Sequence, residues 1–402
     1  MILDGHYPSD IRVRKEAESL SLQHNVSILC CRKEGEKAYE KIHNVSVFRE
    51  VVYKSNYHKA IIDIQLSINF RHPFFRKELS KLNKKISIDV IHVHDLPLAK
   101  TVYSFAKKNK IKTILDLHEN YPAALLTWFA WRKSFVIKFK NKLFFGYKRW
   151  SNYEQRIIKK YDFIIAVVEE MKDRILKESN IDSDKVFVVT NTEKKEFVSN
   201  FKYSKQNYFQ GNQDKCIISY VGGFGPHRGL HTAIEGMYLL KNKMPNALLV
   251  LIGPMNKDVR SHLEELIHRF SLKGYVLLKD SVPFESVIDI MTNSTINIIP
   301  HVSNEHTDNT IPHKLFQILL SGKPLLVSDC APLKRVVQGN DIGNCFVAGS
   351  AKSFADKVVD IESKYSLALE KSAKGYDMAF NGNLNWEHTS KELLKLYDTI
   401  QV

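Results

Sequence analysis

The chain has 402 residues, of which 44% are apolar and 26% are charged, and its formal net charge is +15. This length predicts two domains, each large enough to bury a core. The excess of positive charge favours a partner that carries negative charge, such as nucleic acid, anionic lipid or a phosphorylated substrate. We expect a cytoplasmic protein, because no apolar run approaches the ~18 residues of a membrane span and the N-terminal residues lack the apolar core of a signal peptide.

The first elements predict a doubly wound α/β domain. A short strand at Ile2–Asp4 leads into a loop and then into an amphipathic helix, which Ser9 or Asp10 can cap. A second strand follows at Val26–Cys31. Strand, loop, helix and strand in this order are the opening of such a domain.

Two later strands, Asp89–Val93 and Thr113–Leu117, each end in a polar motif, HVHD and DLHENYP. His92 and His94 lie two residues apart and share one face of their strand, as the ligands of a metal site would. A metal hydrolase needs further ligands from later strands, and no matching His pair follows. The other residues that such a site could use are Asp95, Asp116, His118 and Glu119.

A second interpretation places His118 in an active site, because the carboxyl ends of parallel strands are where open α/β sheets bind ligands. The third interpretation is a capped histidine of the core. The five cysteines are odd in number and include no CxxC pair, which indicates reduced thiols and argues against zinc.

Residues 128–150 combine seven Lys or Arg with nine aromatic residues and contain no acid. This composition is typical of a helix that lies in an anionic lipid surface, and the segment is too charged to span a bilayer. The alternatives are aromatic side chains packed in the core and nucleic-acid binding, for which no RNP-type strand motif is present. The predicted membrane-contact residues are Trp128, Trp131, Lys138, Lys140, Lys142, Phe144 and Phe145.

The second half repeats the strand and helix alternation. Cys216–Val221 reads as a strand, and the loop GGFGPHRG follows it before a helix near Leu230. Glycines let the backbone approach a phosphate closely, although the spacing does not match GxGxxG. Strands at Ala247–Ile252, Tyr275–Leu278 and Ile296–Ile299 continue the pattern. The predicted limits are a first domain at 1–196, a linker at 197–215, a second domain at 216–380 and a final helix at 381–402 that returns to the first domain.

The stretch Ser303–Ser328 predicts a loop, a short helix and a buried strand. Pro312 suits the first position of a helix, and Gly322 suits the position just after its end. His313 and Lys314 add side-chain donors to the positive end of the helix dipole, which makes a site for an anion such as phosphate. The alternative is an ordinary buried helix–strand unit with a solvated lysine.

The run N-T-x-P-x-K-L-F-x-x-x-x-x-G-K-P in this stretch resembles the donor-sugar loop of glycosyltransferase family 4. The start D-G-x-x-P-x-D-x-R-V-x-K-E-A resembles the first loop of bacterial members. The resemblance implies the GT-B fold, an α/β fold of two doubly wound, Rossmann-like domains facing a cleft. The family usually has two Glu where this chain has Asn309 and Gln317. It commonly has an Arg and a Lys in the glycine loop, where this chain has Gly223 and Arg228.

The resemblance further implies a retaining glycosyltransferase that needs neither metal nor cofactor and uses a UDP- or GDP-linked sugar. The implied catalytic residues are Arg228 and Lys314, which stabilise the leaving diphosphate, and His118, which positions the sugar. Gln317 would hold the ribose hydroxyls. The implied donor-binding residues are Gly222, Gly223, Asn309, Thr310, Ile311, Pro312, His313 and Gln317. The implied acceptor-side residues are Gly5, Asp10, Arg12, Glu119 and Asn120.

We expect a saccharide or lipid-linked acceptor in surface polysaccharide assembly, at the inner face of the membrane and without nucleic acid as a partner. The alternative is a GT-B binding protein that has lost catalysis. The departures at Asn309, Gln317 and Gly223 favour that alternative. The retained His118 and Lys314, together with the cation at Arg228, oppose it.

Overall fold

The computed structural model describes residues 1–129, 135–199, 208–212 and 214–400. Contacts between residues divide the chain into two compact units. The first unit contains most of the residues up to Thr190 and the chain from Thr389 onward, and the second contains Asn191–His388 with the segment that begins at Thr127. The chain passes from the first unit to the second after Thr190, six residues before the domain boundary expected at 196. Residues 200–207 and 213 of the expected linker lie outside the described residues, as does Trp131.

The first unit is built on parallel strands. Ile2 pairs in parallel with Leu29 on one side and with Val93 on the other, and it thereby joins two groups of strands. The first group has the order β1-β3-β2, in which only β2 runs antiparallel, and the second is parallel in the order β4-β5-β6-β7. These strands are β1 (Ser27–Cys31), β2 (Tyr39–Ile42), β3 (Val45–Val51), β4 (Val90–His94), β5 (Lys112–Leu117), β6 (Phe163–Ala166) and β7 (Val186–Val188).

Helices lie before β1 and between consecutive strands from β3 onward. The side chain of Asp10 accepts a hydrogen bond from the amide of Val13 at 3.1 Å, so it caps the first helix as the sequence predicts. The helices are α1 (Ile11–Leu20), α2 (Asn56–Asn69), α3 (Pro73–Leu82), α4 (Ala99–Asn109), α5 (Tyr121–Phe129), α6 (Phe135–Phe144), α7 (Tyr147–Ile158) and α8 (Glu169–Ser179).

The second unit contains a six-stranded sheet in which every neighbouring pair is parallel, in the order β10-β9-β8-β11-β12-β13. The order reverses between β8 and β11, and doubly wound sheets bind ligands beyond the carboxyl ends of the strands at such a point. The strands are β8 (Cys216–Val221), β9 (Ala247–Ile252), β10 (Val276–Lys279), β11 (Ile296–Ile299), β12 (Leu325–Ser328) and β13 (Asn344–Phe346).

The helices of the second unit cover its sheet, and the last of them begins in this unit and continues into the first from Thr389. Within the described ranges, no helix is both long enough and apolar enough to cross a membrane. The helices are α9 (Glu196–Ser199), α10 (Leu230–Leu240), α11 (Lys257–Arg269), α12 (Val287–Thr292), α13 (Lys314–Ser321), α14 (Ala331–Val337), α15 (Ala351–Ser363), α16 (Tyr365–Phe380) and α17 (Trp386–Asp398).

Candidate active site

The glycine loop of the second unit starts where β8 ends. Gly222 has a φ of 141°, and a Cβ atom at this position would lie 2.4 Å from the Nζ atom of Lys314. Any larger residue would therefore displace the lysine, besides adopting a backbone conformation that favours glycine. The loop thus lets a lysine from α13 reach the carboxyl end of β8.

Lys314 is held in an unusual environment. Its Nζ atom lies 3.5 Å from the centroid of the Tyr220 ring, and it has no hydrogen-bond partner in the part of the chain that the structure describes. Burial, and then the positive charge of Arg228, hold the pKa of Lys314 well below its usual value. The predicted catalytic lysine is therefore a buried amine with no anionic partner among the described residues.

Arg228 lies in a short 3-10 turn, Pro226–Arg228, and its Nη1 atom donates to Nε2 of His301 at 3.1 Å. His227 and His301 are both buried, and their ring centroids lie 6.2 Å apart. Burial, followed by the charge of Arg228, lowers the pKa of His227 to about 2 and holds the pKa of His301 well below its usual range. Both imidazoles are consequently neutral, while the guanidinium keeps its charge.

No acidic residue within the described ranges forms an ion pair with Arg228 or with Lys314. Two basic groups without a counter-charge at the carboxyl edge of a sheet form a site suited to an anion. His227, His301 and His306 lie around this site and were not predicted from the sequence. Their signal was a set of histidines in the loops that follow β8 and β11.

A cavity of about 260 Å³ opens beside Arg228. The predicted membrane contact Trp128 lines this cavity, and its ring lies 6.3 Å from that of His306. This position corrects the expectation that Trp128 belongs to one lipid-facing helix with the rest of residues 128–150. The lining residues are Trp128, Gly223, Phe224, Gly225, Pro226, His227, Arg228, Asn256, Asp258 and Val259.

The predicted donor loop has the expected order of loop, helix and buried strand, but its helix begins at Lys314, two residues after Pro312. The Nε2 atom of His313 lies 3.0 Å from a carboxylate oxygen of Glu193, so this side chain faces an acid and not an anionic ligand. Asn309 donates from Nδ2 to the carbonyl oxygen of Glu305 at 2.7 Å. Thr310 and Ile311 lie in the connection between the 3-10 turn Thr307–Asn309 and α13. Gln317 is buried within α13.

In the first unit, His118 follows β5 directly, as predicted. Its Nε2 atom donates to Oδ2 of Asp116 at 3.0 Å, and its Nδ1 atom lies 3.5 Å from Oδ2 of Asp95. Burial opposes a charge on the imidazole, but the carboxylates of Asp95 and Asp116 outweigh burial and raise the pKa of His118 to about 10. His118 is therefore an imidazolium at neutral pH.

Arg12 holds Asp116 in place, because its Nη2 and Nε atoms donate to the two carboxylate oxygens of Asp116 at 2.8 and 3.3 Å. Burial alone would raise the pKa of Asp116, but Arg12 and then His118 hold it well below the usual range. Arg12 is 5% exposed and its Nε atom also lies 3.0 Å from Glu16. We therefore assign Arg12 to the support of Asp116 and His118, which corrects the expectation that it faces an acceptor.

The remaining acceptor-side residues differ in exposure. Asn120 is buried, and its Oδ1 atom accepts a hydrogen bond from the amide of Ala123 at 3.3 Å. Asp10 caps α1, and the carbonyl oxygen of Gly5 accepts from the amide of Cys31 at 2.9 Å. Glu119 is half-buried. Asp10, Asn120 and Gly5 therefore have structural contacts that explain them without an acceptor.

The structure brings together some of the residues that the predicted metal site could have used. Glu16, His92, His94 and Asp116 bring one ligand-type atom each within 4.8 Å of one another, and all four residues are buried. The guanidinium of Arg12 pairs with both carboxylates of this group. A fixed positive charge inside the group balances the acids and opposes the approach of a cation. We therefore interpret these residues as a charge-balanced support for His118.

The described part of the basic and aromatic segment, residues 128–150, is divided among α5, α6 and α7. In α6, Lys138 and Lys142 are exposed, and Phe139 and Leu143 beside them are 63% and 57% exposed. Lys140, Phe144 and Phe145 are half-buried. Trp150, in α7, is fully buried and donates to the carbonyl oxygen of Phe144 at 3.1 Å, so part of the aromatic content belongs to the core.

Two family profiles match the chain. The profile described as Glycosyltransferase Family 4 matches residues 12–192, and the profile described as Glycosyl transferases group 1 matches residues 204–378. Together they span most of the sequence.

Relatives agree with these profiles. The O-antigen chain mannosyltransferase RfbU of Salmonella typhimurium is 24% identical over 173 residues, which are 43% of this chain and only 43% of RfbU. The capsular polysaccharide biosynthesis glycosyltransferase CapM of Staphylococcus aureus is 20% identical over 350 residues, which cover 80% of this chain and 87% of CapM.

Among solved structures, that of Anabaena HepE in complex with UDP-glucose has a TM-score of 0.72 at 10% identity and covers 99% of this chain and 98% of that chain. This likeness confirms the predicted fold class, the GT-B fold with two Rossmann-like domains. With one profile matched in each half and relatives named as sugar transferases, the chain belongs to the group 1 glycosyltransferases.

Proposed function

We propose that this chain transfers a sugar from a UDP- or GDP-linked donor to a saccharide or lipid-linked acceptor of a surface polysaccharide. Transfer proceeds with retention of configuration and without a metal ion. The observation that carries the proposal is the pair of Arg228 and Lys314, which lack an acidic partner in the described part of the chain. A buried amine without a counter-charge is costly, and an anion that binds beside it removes that cost.

The chemistry requires such a site. When the bond between the anomeric carbon and the phosphate oxygen breaks, its electron pair stays on the diphosphate, which gains negative charge. Fixed positive groups that meet this charge stabilise the transition state more than the ground state. Arg228 and Lys314 take this role. The acceptor oxygen then attacks from the face that the diphosphate leaves and gives its proton to the departing phosphate oxygen, which retains the configuration.

His118 has a different role in this proposal. Its Nε2 atom donates to Asp116, and a carboxylate oxygen of Asp95 lies 3.5 Å from Nδ1, so the orientation of the ring is fixed before a ligand binds. An imidazolium also donates from Nδ1, and this second donor suits a hydroxyl group of a sugar. His118 therefore positions the transferred sugar and takes no proton from the acceptor.

The named relatives support the choice of substrates. HepE was solved with UDP-glucose, RfbU is named as a mannosyltransferase and CapM is named for capsular polysaccharide. A nucleotide-linked hexose and a saccharide acceptor are consistent with all three names. The exposed face of α6, formed by Lys138, Phe139, Lys142 and Leu143, supports a membrane-bound acceptor, because it combines apolar side chains with positive charge.

The test is a transfer assay with purified full-length protein in the presence of EDTA. UDP- and GDP-linked hexoses are offered with saccharide and lipid-linked acceptors, and the anomeric configuration of the product is read by proton NMR. We expect one donor to give a product of unchanged configuration. A product of inverted configuration, or transfer that requires a divalent cation, contradicts the proposed mechanism.

A further inference from the structure

Helix α2 presents an apolar face to solvent. Tyr57, Ile61 and Ile68 are 78%, 45% and 59% exposed, and their spacing places them on one face of the helix. Ile62 and Leu66 lie on the opposite face and are buried, so the core of the first unit already has its share of this helix. Large apolar side chains grouped on the outer face of a helix are typical of a surface that binds a protein or a membrane.

Helix α6 packs beside α2 in the first unit and extends this face. The hydroxyl group of Ser67 in α2 donates to the carbonyl oxygen of Phe144 in α6, so the neighbouring Ile68 and Leu143 lie next to the same contact. Leu143 is 57% exposed, and Phe139, one turn earlier in α6, is 63% exposed. The two helices therefore contribute to one surface, which we call the α2–α6 surface and which consists of Tyr57, Ile61, Ile68, Phe139 and Leu143.

The charges around the α2–α6 surface are almost all positive. Residues 52–71 and 135–149 contain a single acid, Asp63, and its side chain is half-buried. An apolar surface with a basic margin complements a bilayer that contains anionic lipid. A second copy of the same surface would instead bring two positive margins together. The exposed basic residues of these segments are Lys54, Arg71, Lys138, Lys142, Lys148 and Arg149.

We infer that the α2–α6 surface lies in the headgroup region of an anionic bilayer, where α2 supplies apolar contact and the basic residues attract lipid phosphate. The sequence analysis placed lipid contact within residues 128–150 alone, so α2 is a new part of this contact. Tyr57 suits the position, because its ring is apolar and its hydroxyl group stays in contact with water. The inference rests on the proposed function only in that a membrane-bound acceptor gives the contact a purpose.

The test measures flotation of the full-length protein with vesicles of phosphatidylcholine and phosphatidylglycerol. Ile61→Gln combined with Ile68→Gln should weaken binding roughly tenfold or more, because the bilayer buries both isoleucines. The loss should persist at high salt, which screens only the attraction of the basic residues. The matched control is Leu367→Gln combined with Leu369→Gln, which removes two exposed leucines of α16 in the second unit and should leave binding unchanged.

Tyr57→Trp gives a second readout on the same face. Phospholipid brominated in its acyl chains quenches tryptophan emission on contact, so the emission of this variant should fall more than that of the native protein. The absence of additional quenching overturns the inference. Equal vesicle binding by the native protein and the isoleucine double variant also overturns it.

Sedimentation without lipid tests a second copy of the chain as the occupant. A native dimer that the isoleucine double variant dissociates would overturn the inference. Transfer to a saccharide acceptor in solution, measured without vesicles, keeps the proposed function separate and should be equal in the native protein and the double variant. Absence of transfer in both contradicts the proposed function, whereas vesicle binding decides the role of the α2–α6 surface.

Discussion

The buried amine of Lys314 lies over the ring of Tyr220, 3.5 Å from its centroid, and no acidic residue in the described part of the chain pairs with it. The ring face offers a weak attraction to a cation, but it cannot replace the water that burial removes. The free protein therefore bears a cost at this position that a bound anion removes.

Replacing Lys314 by Met should stabilise the free protein and abolish its response to nucleotide. Methionine keeps most of the volume and removes the buried amine, a gain of about 1–3 kcal/mol on the scale of an unsatisfied buried group. In the native protein, the folded-state pKa of Lys314 is depressed, so the cost is present below the usual pKa of lysine, about 10.4, and fades as the pH rises towards it. Thermal unfolding should thus show a gain that is larger at pH 7 than at pH 10.

The same experiment with UDP or GDP supplies the second half of the prediction. Nucleotide should raise the unfolding temperature of the native protein and leave that of Lys314→Met almost unchanged. Lys273→Met, at an exposed lysine, is the control and should respond as the native protein does. A free Lys314→Met protein that is less stable than the native one would show that the amine has a partner.

Arg228→Ala should lower turnover roughly a hundredfold, as the loss of one donor to a developing oxyanion does. Arg228→Lys should recover part of that loss, because it restores the charge without the two-pronged guanidinium. Arg269→Ala, which removes an exposed arginine at the end of α11, is the matched control and should leave turnover unchanged. Steady-state kinetics with the preferred donor makes the measurement, and near-native turnover of Arg228→Ala would remove this residue from the mechanism.

Asp95→Asn should move the alkaline limit of activity to lower pH. The Asp95 carboxylate is one of the two that raise the pKa of His118 to about 10, so its loss lowers that value. Activity that needs the imidazolium is present below the pKa of His118 and is lost as the pH rises through it. Asparagine has nearly the size and shape of aspartate, so this change removes the charge with little change in packing. The measurement is the pH profile of kcat.

Asp89→Asn, at an exposed aspartate before β4, is the control for this profile and should leave it unchanged. His118→Ala should lose transfer and keep nucleotide affinity, since His118 meets the sugar and not the diphosphate. A pH profile of kcat for Asp95→Asn that coincides with the native one would show that catalysis does not depend on the charge of His118.

Lys138→Gln combined with Lys142→Gln should weaken binding to anionic vesicles roughly 30-fold, because each basic residue at such a surface contributes about 1 kcal/mol. Vesicle flotation at low and physiological salt measures the effect, which salt should reduce. The control replaces Lys107 and Lys108, an exposed pair of equal charge in α4. Equal binding of both double variants, or equal binding of the native protein to neutral and anionic vesicles, would exclude α6 as the lipid contact.

Local patterns predicted much of the second unit. The limits of β8, β9 and β11 agree with the sequence because each is a mostly apolar run that is buried on both faces. The segment from β2 to α3 was not predicted, although Val45–Val51 alternates and Ser55 caps α2. The pairing of Arg12 with Asp116, 104 positions away, lay beyond any local pattern, because only the fold brings these residues together.

The residues of the candidate site also fall into two groups, those with a local sequence signal and those whose contacts only the fold creates. Lys314 and His118 were predicted because they begin a helix or follow a strand, where a sequence signal exists, and Arg228 was predicted from the resemblance of its glycine loop to that of the family. Glu193 and His301 could not be predicted in this way, since their roles depend on which side chain lies opposite. Arg12 was predicted to face the acceptor because it follows the first loop. The structure instead shows Arg12 buried and paired with Asp116, so we assign it to the support of Asp116 and His118.

The central claim is that Arg228 and Lys314 bind the diphosphate of the donor without a metal ion. Calorimetric titration of UDP, UMP, GDP and GMP into the native protein in EDTA tests this claim directly. The account predicts that the matching diphosphate binds at least tenfold more tightly than its monophosphate, and that Lys314→Met loses this difference. Equal affinities for the diphosphate and the monophosphate in the native protein, or binding that appears only when a divalent cation is added, would contradict it.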